Sequence, residues 1–167
     1  MLTSEEQKYL ETIPENKIIV IWDFDPAAKE TGDQIIQRIK EEGIAKGVLN
    51  MGSTELGIAG QNDIDIDVPS SVDTSKVELS ILKKLFGKPK QSKILPMKWE
   101  FKQNGFEVEV HLADASTETF KRHLRVFTAL KNDPVLRTRY EALKKSCNGG
   151  SFRDYMKKKF EFFADIS

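Results

Sequence analysis

The chain has 167 residues, with 26 Lys+Arg against 26 Asp+Glu, 39% hydrophobic residues and 31% charged ones. That length suits a single domain over 1–167, with a core large enough to need no disulfide or structural metal. The zero charge balance argues against broad nucleic-acid binding, no apolar run approaches the roughly 18 residues of a membrane span, and a lone Cys147 with no secretory-type start points to a reducing, cytoplasmic setting.

Thr3-Ser4 followed by Glu6 and Gln7 reads as a capped helix start, with Tyr9, Leu10 and Ile13 as its apolar stripe. Residues 17–24 are β-branched and apolar enough for a buried strand. Residues 27–42 suit a helix, with Ile35, Ile36 and Ile39 on one face and Gly43 as its stop. Val48-Leu49-Asn50-Met51 is a short strand running into Gly52-Ser53. After a loop over 55–62, Asp63-Ile64-Asp65-Ile66-Asp67-Val68 alternates without exception. Strand period two puts the three Asp on one face and Ile64, Ile66 and Val68 on the other. Thr74 or Ser75 caps a helix holding Val77, Ile81, Leu82 and Leu85, closed by Gly87; a basic, proline-containing loop follows over 88–96.

The runs 98–103 and 106–111 flank Asn104-Gly105, the strongest short hairpin signal, because both turn positions need positive φ. A two-residue turn pairs Trp99 with Val110 and Phe101 with Val108 on the apolar face. On the other face it sets Glu100 against Glu109, a repulsive pair unless a cation or proton lies between them. Ser116 or Thr117 caps a helix with Phe120, Leu124, Phe127 and Leu130. Asp133-Pro134 opens another over 135–146, and a last helix begins at Ser151 with Tyr155, Met156, Phe160 and Phe163. The expected fold is α+β: a mixed, mostly antiparallel sheet within about 17–112, helices packed on it, and a helical C-terminal third over about 116–165.

Charge is unevenly spread. Residues 116–160 hold twelve basic side chains against four acidic ones, whereas 52–78 hold six acidic ones against Lys76 alone. Solvated helix faces account for most of the lysines, and Lys121, Lys131, Lys145 and Lys157 are expected to face solvent. An acidic centre beside a basic third also suits a metal and a polyanion. Gly52-Ser53 at a strand end lets backbone N–H groups and a hydroxyl approach a phosphate, although such a pair also marks ordinary turns. Three Asp on one strand face are unusual, because Asp is depleted in strands. Two of them suit Mg²⁺, which takes oxygen ligands and substrate phosphates. His111 shares the acidic face and reads as a ligand, an acid/base group or a salt partner. His123 reads as structural, the aromatics of the last helix as core, and Cys147 as an inert thiol.

Gly-Ser, nine residues to Asp63 and eleven to Asp65, then an acidic residue on a later strand, resembles the nucleotidyltransferase superfamily. Trp22-Asp23-Phe24-Asp25-Pro26, Met51-Gly52-Ser53-Thr54, Leu56-Gly57-Ile58-Ala59, Ile64-Asp65-Ile66, Val110-His111-Leu112 and Phe120-Lys121-Arg122-His123-Leu124 resemble, in collinear order, the GrpB family within it. Asp133-Pro134-Val135-Leu136, Tyr140, Leu143-Lys144, Tyr155, Lys159 and Phe162 continue the likeness. The chain departs from that pattern at Leu56, Gln61, Glu109 and Phe127-Thr128. The resemblance implies a nucleotidyltransferase-like fold and metal-dependent transfer of a nucleotidyl group from a nucleoside triphosphate to an unidentified acceptor. It implies Mg²⁺ or Mn²⁺ held by Asp63, Asp65, Asp67 and Glu109, with Asp65 and Glu109 (or Glu107) catalytic. Gly52, Ser53, Arg122, Lys144 and Lys159 would bind the phosphates. The competing expectation is a non-catalytic module of the same fold, holding a nucleotide or acidic ligand and forming a homodimer; Gln61 in place of a lysine favours it.

Overall fold

A computed structural model describes residues 2–71, 73–90 and 95–166. In chain order its elements are α1 (Ser4–Thr12), α2 (Pro26–Glu41), β1 (Leu49–Asn50), α3 (Ser53–Leu56), β2 (Ile64–Ser70) and α4 (Ser75–Phe86). These are followed by β3 (Met97–Gln103), β4 (Phe106–Asp114), α5 (Glu118–Asn132), α6 (Pro134–Ser146) and α7 (Phe152–Ala164). The fold is the expected α+β arrangement. The sheet runs β1-β2-β4-β3, antiparallel except for the central parallel pair β2–β4.

The alternating β2 sequence fixes the two faces. Ile64, Ile66 and Val68 are fully buried and pack with Val108, Val110, Leu112 and Trp99, against Ile35 and Ile39 of α2 and Leu82 of α4. Burying each such side chain is worth roughly 1.5–3 kcal/mol, so this face holds the sheet to its helices. Trp99 also donates from Nε1 to the carbonyl of Gly87 at 2.9 Å, tying β3 to the end of α4. The hairpin has the expected register, and Asn104 and Gly105 sit at φ 53° and 86°. The two facing glutamates are reconciled by a cation: Lys98 Nζ is 2.5 Å from Glu100 Oε1 and 3.0 Å from Glu109 Oε1.

The opposite, charged face of β2 and β4 looks toward the C-terminal helices. These build two further apolar clusters, one around Ile58, Val126, Leu130 and Tyr140, the other around Ile13, Ile19, Ile21, Phe152, Tyr155 and Met156.

Residues 17–24 depart from the expected buried strand. They stay extended, but only isolated bridges form, Ile18 to Ser151 and Trp22 to Gly60. Ile19 and Ile21 are buried while Ile18, Val20 and Trp22 are exposed. The reason is the lack of a partner strand: the backbone bonds instead to loop positions, with Ile19 N donating to Gly150 O and Gly149 N to Ile19 O. The expected loop over 55–62 begins as the short helix α3, and part of the 88–96 loop (91–94) lies outside the described residues. No helix among the described residues is long and apolar enough to cross a membrane.

Candidate functional site

The site forms where β1 ends, α3 begins and α6 and α7 close over the charged face. Met51 N donates to the carbonyl of Asp65 at 2.8 Å, which carries the chain past β2 into Gly52. Gly52 caps α3, and its N–H is held by Asn50 Oδ1 at 3.2 Å. A Cβ at Gly52 would lie 3.3 Å from Asp65 Oδ2, so the glycine lets backbone and carboxylate come close. Gly60 is more tightly constrained: a Cβ there would lie 2.7 Å from Ser53 Cβ and 2.8 Å from its Oγ.

Ser53 Oγ accepts a hydrogen bond from Lys144 Nζ, which reaches it from the last turn of α6. Lys144 is 5% exposed, and its ammonium also lies 4.9 Å from the centre of the Tyr140 ring. Burial, reinforced by the nearby charge of Lys159, lowers its pKa from 10.5 to about 8 against the pull of Asp63, Asp65 and Glu141.

Asp65 shows the opposite shift. Burial and the charge of Asp63, with a smaller part from Glu109, raise its pKa to about 7, although Lys159 and His111 pull it down. Asp65 is half-buried, with protein groups packed around its carboxylate. Asp65 pairs with Glu109 across the parallel strands, and Asp67 with His111. His111 lies between two carboxylates, Nδ1 at 3.4 Å from Asp67 Oδ1 and Nε2 at 3.5 Å from Glu109 Oε2. Burial would lower its pKa, but the hydrogen bond and charge of Asp67, with Asp65 and Glu109, raise it above 6.5.

A cavity of about 80 Å³ gathers Gly52, Ser53, Asp63, Asp65, Lys144 and Lys159. Gln61, His123, Tyr140 and Tyr155 complete much of its wall. Asp67 and Glu109 do not line it; Asp67 is buried at 8% exposure beside His111, and Glu109 is engaged by Lys98 and His111. Arg122 lies elsewhere, in a second cavity, with Nη1 on Glu6 Oε1 at 2.9 Å. Lys121, Lys131, Lys145 and Lys157 are exposed.

Among the described residues no group of three or more His, Cys, Asp or Glu side chains is arranged to hold a metal ion. The two carboxylates that share the cavity, Asp63 and Asp65, repel each other, and a cation held by the pair would relieve that repulsion. That is how Mg²⁺ usually binds, through one or two carboxylates rather than a cage of protein ligands.

Sequence reasoning had assigned Tyr155 to the core and His123 to a structural role, and had buried Tyr140 on its helix. All three do pack as helical side chains, yet each also faces the cavity. His123 has its pKa lowered by burial and by Lys159, although much of its surface opens on the cavity space. The signal that could have found Tyr140 is its place four residues before Lys144, on the same helix face.

A model of the GrpB protein family matches residues 18–167, and the chain belongs to the GrpB family. A place in the nucleotidyltransferase superfamily is consistent with that membership. No curated protein and no solved structure matches the chain.

Proposed function

From membership of the GrpB family, we propose that the chain transfers a nucleotidyl group from a magnesium-bound nucleoside triphosphate to an acceptor hydroxyl. The observation that carries this reading is the Lys144–Ser53 contact at the start of α3, in the same small cavity as Asp63 and Asp65. An ammonium and a hydroxyl side by side are donors for phosphate oxygens. Carboxylates beside them are what a phosphate-borne cation requires.

In this reading Ser53, Lys144 and Lys159 orient the triphosphate, and Gly52 keeps the backbone close to it. Asp63 and Asp65 would hold Mg²⁺ brought in with the substrate, and the ion would supply neutralisation of charge on the phosphate oxygens. The acceptor oxygen bonds to the α-phosphorus as the bond to the β-bridging oxygen breaks. Pyrophosphate leaves with that electron pair, and the acceptor proton passes to solvent, since Glu109 lies outside the cavity on Lys98 and His111.

A second reading is a binding module that uses the same fold without turnover. Gln61 on the cavity wall, an uncharged side chain where a phosphate would call for a positive one, favours it. Glu109 is also already engaged by Lys98.

Thermal-shift titrations with Mg²⁺ and each of ATP, CTP, GTP and UTP test the common part: one or more should raise the Tm by mass action. No shift with any of them rejects both readings for nucleotides. Pyrophosphate release from the stabilising nucleotide separates transfer from binding alone.

A further inference from the structure

A second, larger cavity of about 390 Å³ opens between α1, α5 and α7, and it lies within the usual size range of small-molecule sites. It is not remote from the first. His123, Val126, Lys159 and Phe163 line both, so the two spaces share a wall and the charge of Lys159.

Its walls have two characters. Tyr9, Val126, Phe160 and Phe163 give it an apolar body, with Tyr9 packed edge-on against Phe160 at 6.1 Å. The charged lining is unequal in its pairing. Glu6 is taken by Arg122 Nη1 at 2.9 Å, and Glu118 by Lys121 at 3.3 Å. Arg125 and Lys159 also line the cavity, and among the described residues neither pairs with a carboxylate. The space therefore offers apolar surface with uncommitted positive charge. Unused cations beside an apolar wall suit an anion with an apolar body.

The origin of the wall matters too. Thr3, Glu6 and Tyr9 come from the α1 region, which precedes residue 18, where the family match begins. The Arg122–Glu6 pair fastens α1 to α5 over this space. The cavity's shape is thus set partly by a helix outside the family match.

We propose that this cavity is a second ligand site, taking a small amphipathic anion with an aromatic or branched aliphatic body and one carboxylate, sulfonate or phosphate group. Arg125 receives the anionic group, Lys159 being engaged by the triphosphate in the reading above, and Tyr9, Phe160 and Phe163 receive the body. As the place of the acceptor, beside the phosphates but apart from them, the assignment rests on the transfer reading above. As a binding site it stands without that reading.

The probe is 8-anilinonaphthalene-1-sulfonate, an apolar bicycle carrying one anionic group, with N-phenyl-1-naphthylamine as its uncharged counterpart. Fluorescence titration of the folded protein should show saturable 1:1 binding of the sulfonate. Arg125→Glu should weaken it about tenfold, the size of one charge-assisted contact, and leave the uncharged probe unaffected. Tyr9→Ala should weaken both probes, and Lys157→Glu neither; an unchanged Tm confirms that each variant is folded. Equal sulfonate affinity in wild type, Arg125→Glu and Tyr9→Ala overturns the site. A saturating Mg²⁺–nucleotide that leaves sulfonate affinity unchanged supports the acceptor role, and competitive displacement overturns it. If no nucleotide binds in the thermal-shift experiment, the transfer reading and the acceptor role fail together, while the probe titration still decides the site.

Discussion

The ammonium of Lys144 rests on the hydroxyl of Ser53, two groups 91 positions apart in the chain, and almost no solvent reaches the lysine. The contact joins α6 to the start of α3 and places a strained positive charge against the cavity. Its cost should be visible in the pH dependence of stability.

Lys144 has a folded pKa of about 8 against an ordinary 10.5, so its charged form is disfavoured in the folded state. Between those values the unfolded chain binds more protons, and stability should rise with pH. Below about 8 the full penalty is present; above 10.5 it is gone. Urea denaturation at pH 7.5, 8.5 and 9.5 should show a contribution rising by about 2 kcal/mol in the wild type that Lys144→Met lacks. Parallel profiles for the two proteins would show that the buried lysine carries no such penalty.

Asp65 carries the mirror-image cost. Its pKa is raised to about 7, so ionisation opposes folding, and the penalty grows as pH rises from about 3.8 to 7. Asp65→Asn should therefore be more stable than wild type at pH 8, by about 2–4 °C in Tm for each kcal/mol regained, and the gap should narrow toward pH 4. The same variant should lose any Mg²⁺–nucleotide stabilisation. A Tm at pH 8 no higher than wild type would show that the carboxylate is adequately solvated.

Gly60 is a steric test of the same corner. Its added Cβ would meet Ser53 at 2.7–2.8 Å, and Ser53 is fixed by the turn of α3. Gly60→Ala should cost about 1–3 kcal/mol, the usual range for overpacking, and should weaken nucleotide stabilisation through Ser53. Gly57→Ala makes a useful contrast. No atom lies within 4 Å of its Cβ, and its φ of 67° gives a backbone penalty without crowding Ser53. If Gly60→Ala binds nucleotide as wild type does, Ser53 does not position it.

Lys159 and Lys157 are two residues apart on α7 and face differently: Lys159 lines the cavity and Lys157 is exposed. Lys159→Ala should weaken Mg²⁺–nucleotide affinity by about tenfold, the loss of one charge-assisted contact, with Lys157→Ala unchanged. Calorimetric titration reads both. Equal affinities in a protein that binds nucleotide would place the phosphates away from α7.

Much of the sheet was legible because its signals are local. The strict alternation of β2 fixes its faces and the Asn104-Gly105 turn fixes the hairpin register within a few residues, whereas the parallel pairing that sets Asp65 beside Glu109 is long-range. The 17–24 segment was misread because its partners, Gly60 and the 149–152 turn, lie far along the chain and belong to no strand. Lys144 was named on family likeness, yet its burial was hidden, since lysine ordinarily marks a solvated face. Arg122 sat in a matching stretch of sequence, but only the packing of α1 shows that its guanidinium turns to Glu6 rather than to the carboxylate strand. The segregation of Asp67 and Glu109 from the cavity likewise depends on side-chain partners, His111 and Lys98, that strand periodicity does not specify.

The bonds between residues 17–22 and the 148–152 turn impose an order on synthesis. All four strands have been synthesised once Asp114 is made, so the sheet and its α2–α4 face can assemble as soon as they emerge, ahead of the last helices. Ile19 and Ile21 must wait, because Ile19 bonds to Gly149 and Gly150, and Ile21 N to Asn148 Oδ1, groups made some 130 residues later. Over that interval two apolar side chains lack their native cover, and the cavity holding Asp65 lacks its α7 wall. A nascent chain halted before residue 148 would thus carry a completed sheet but an open site.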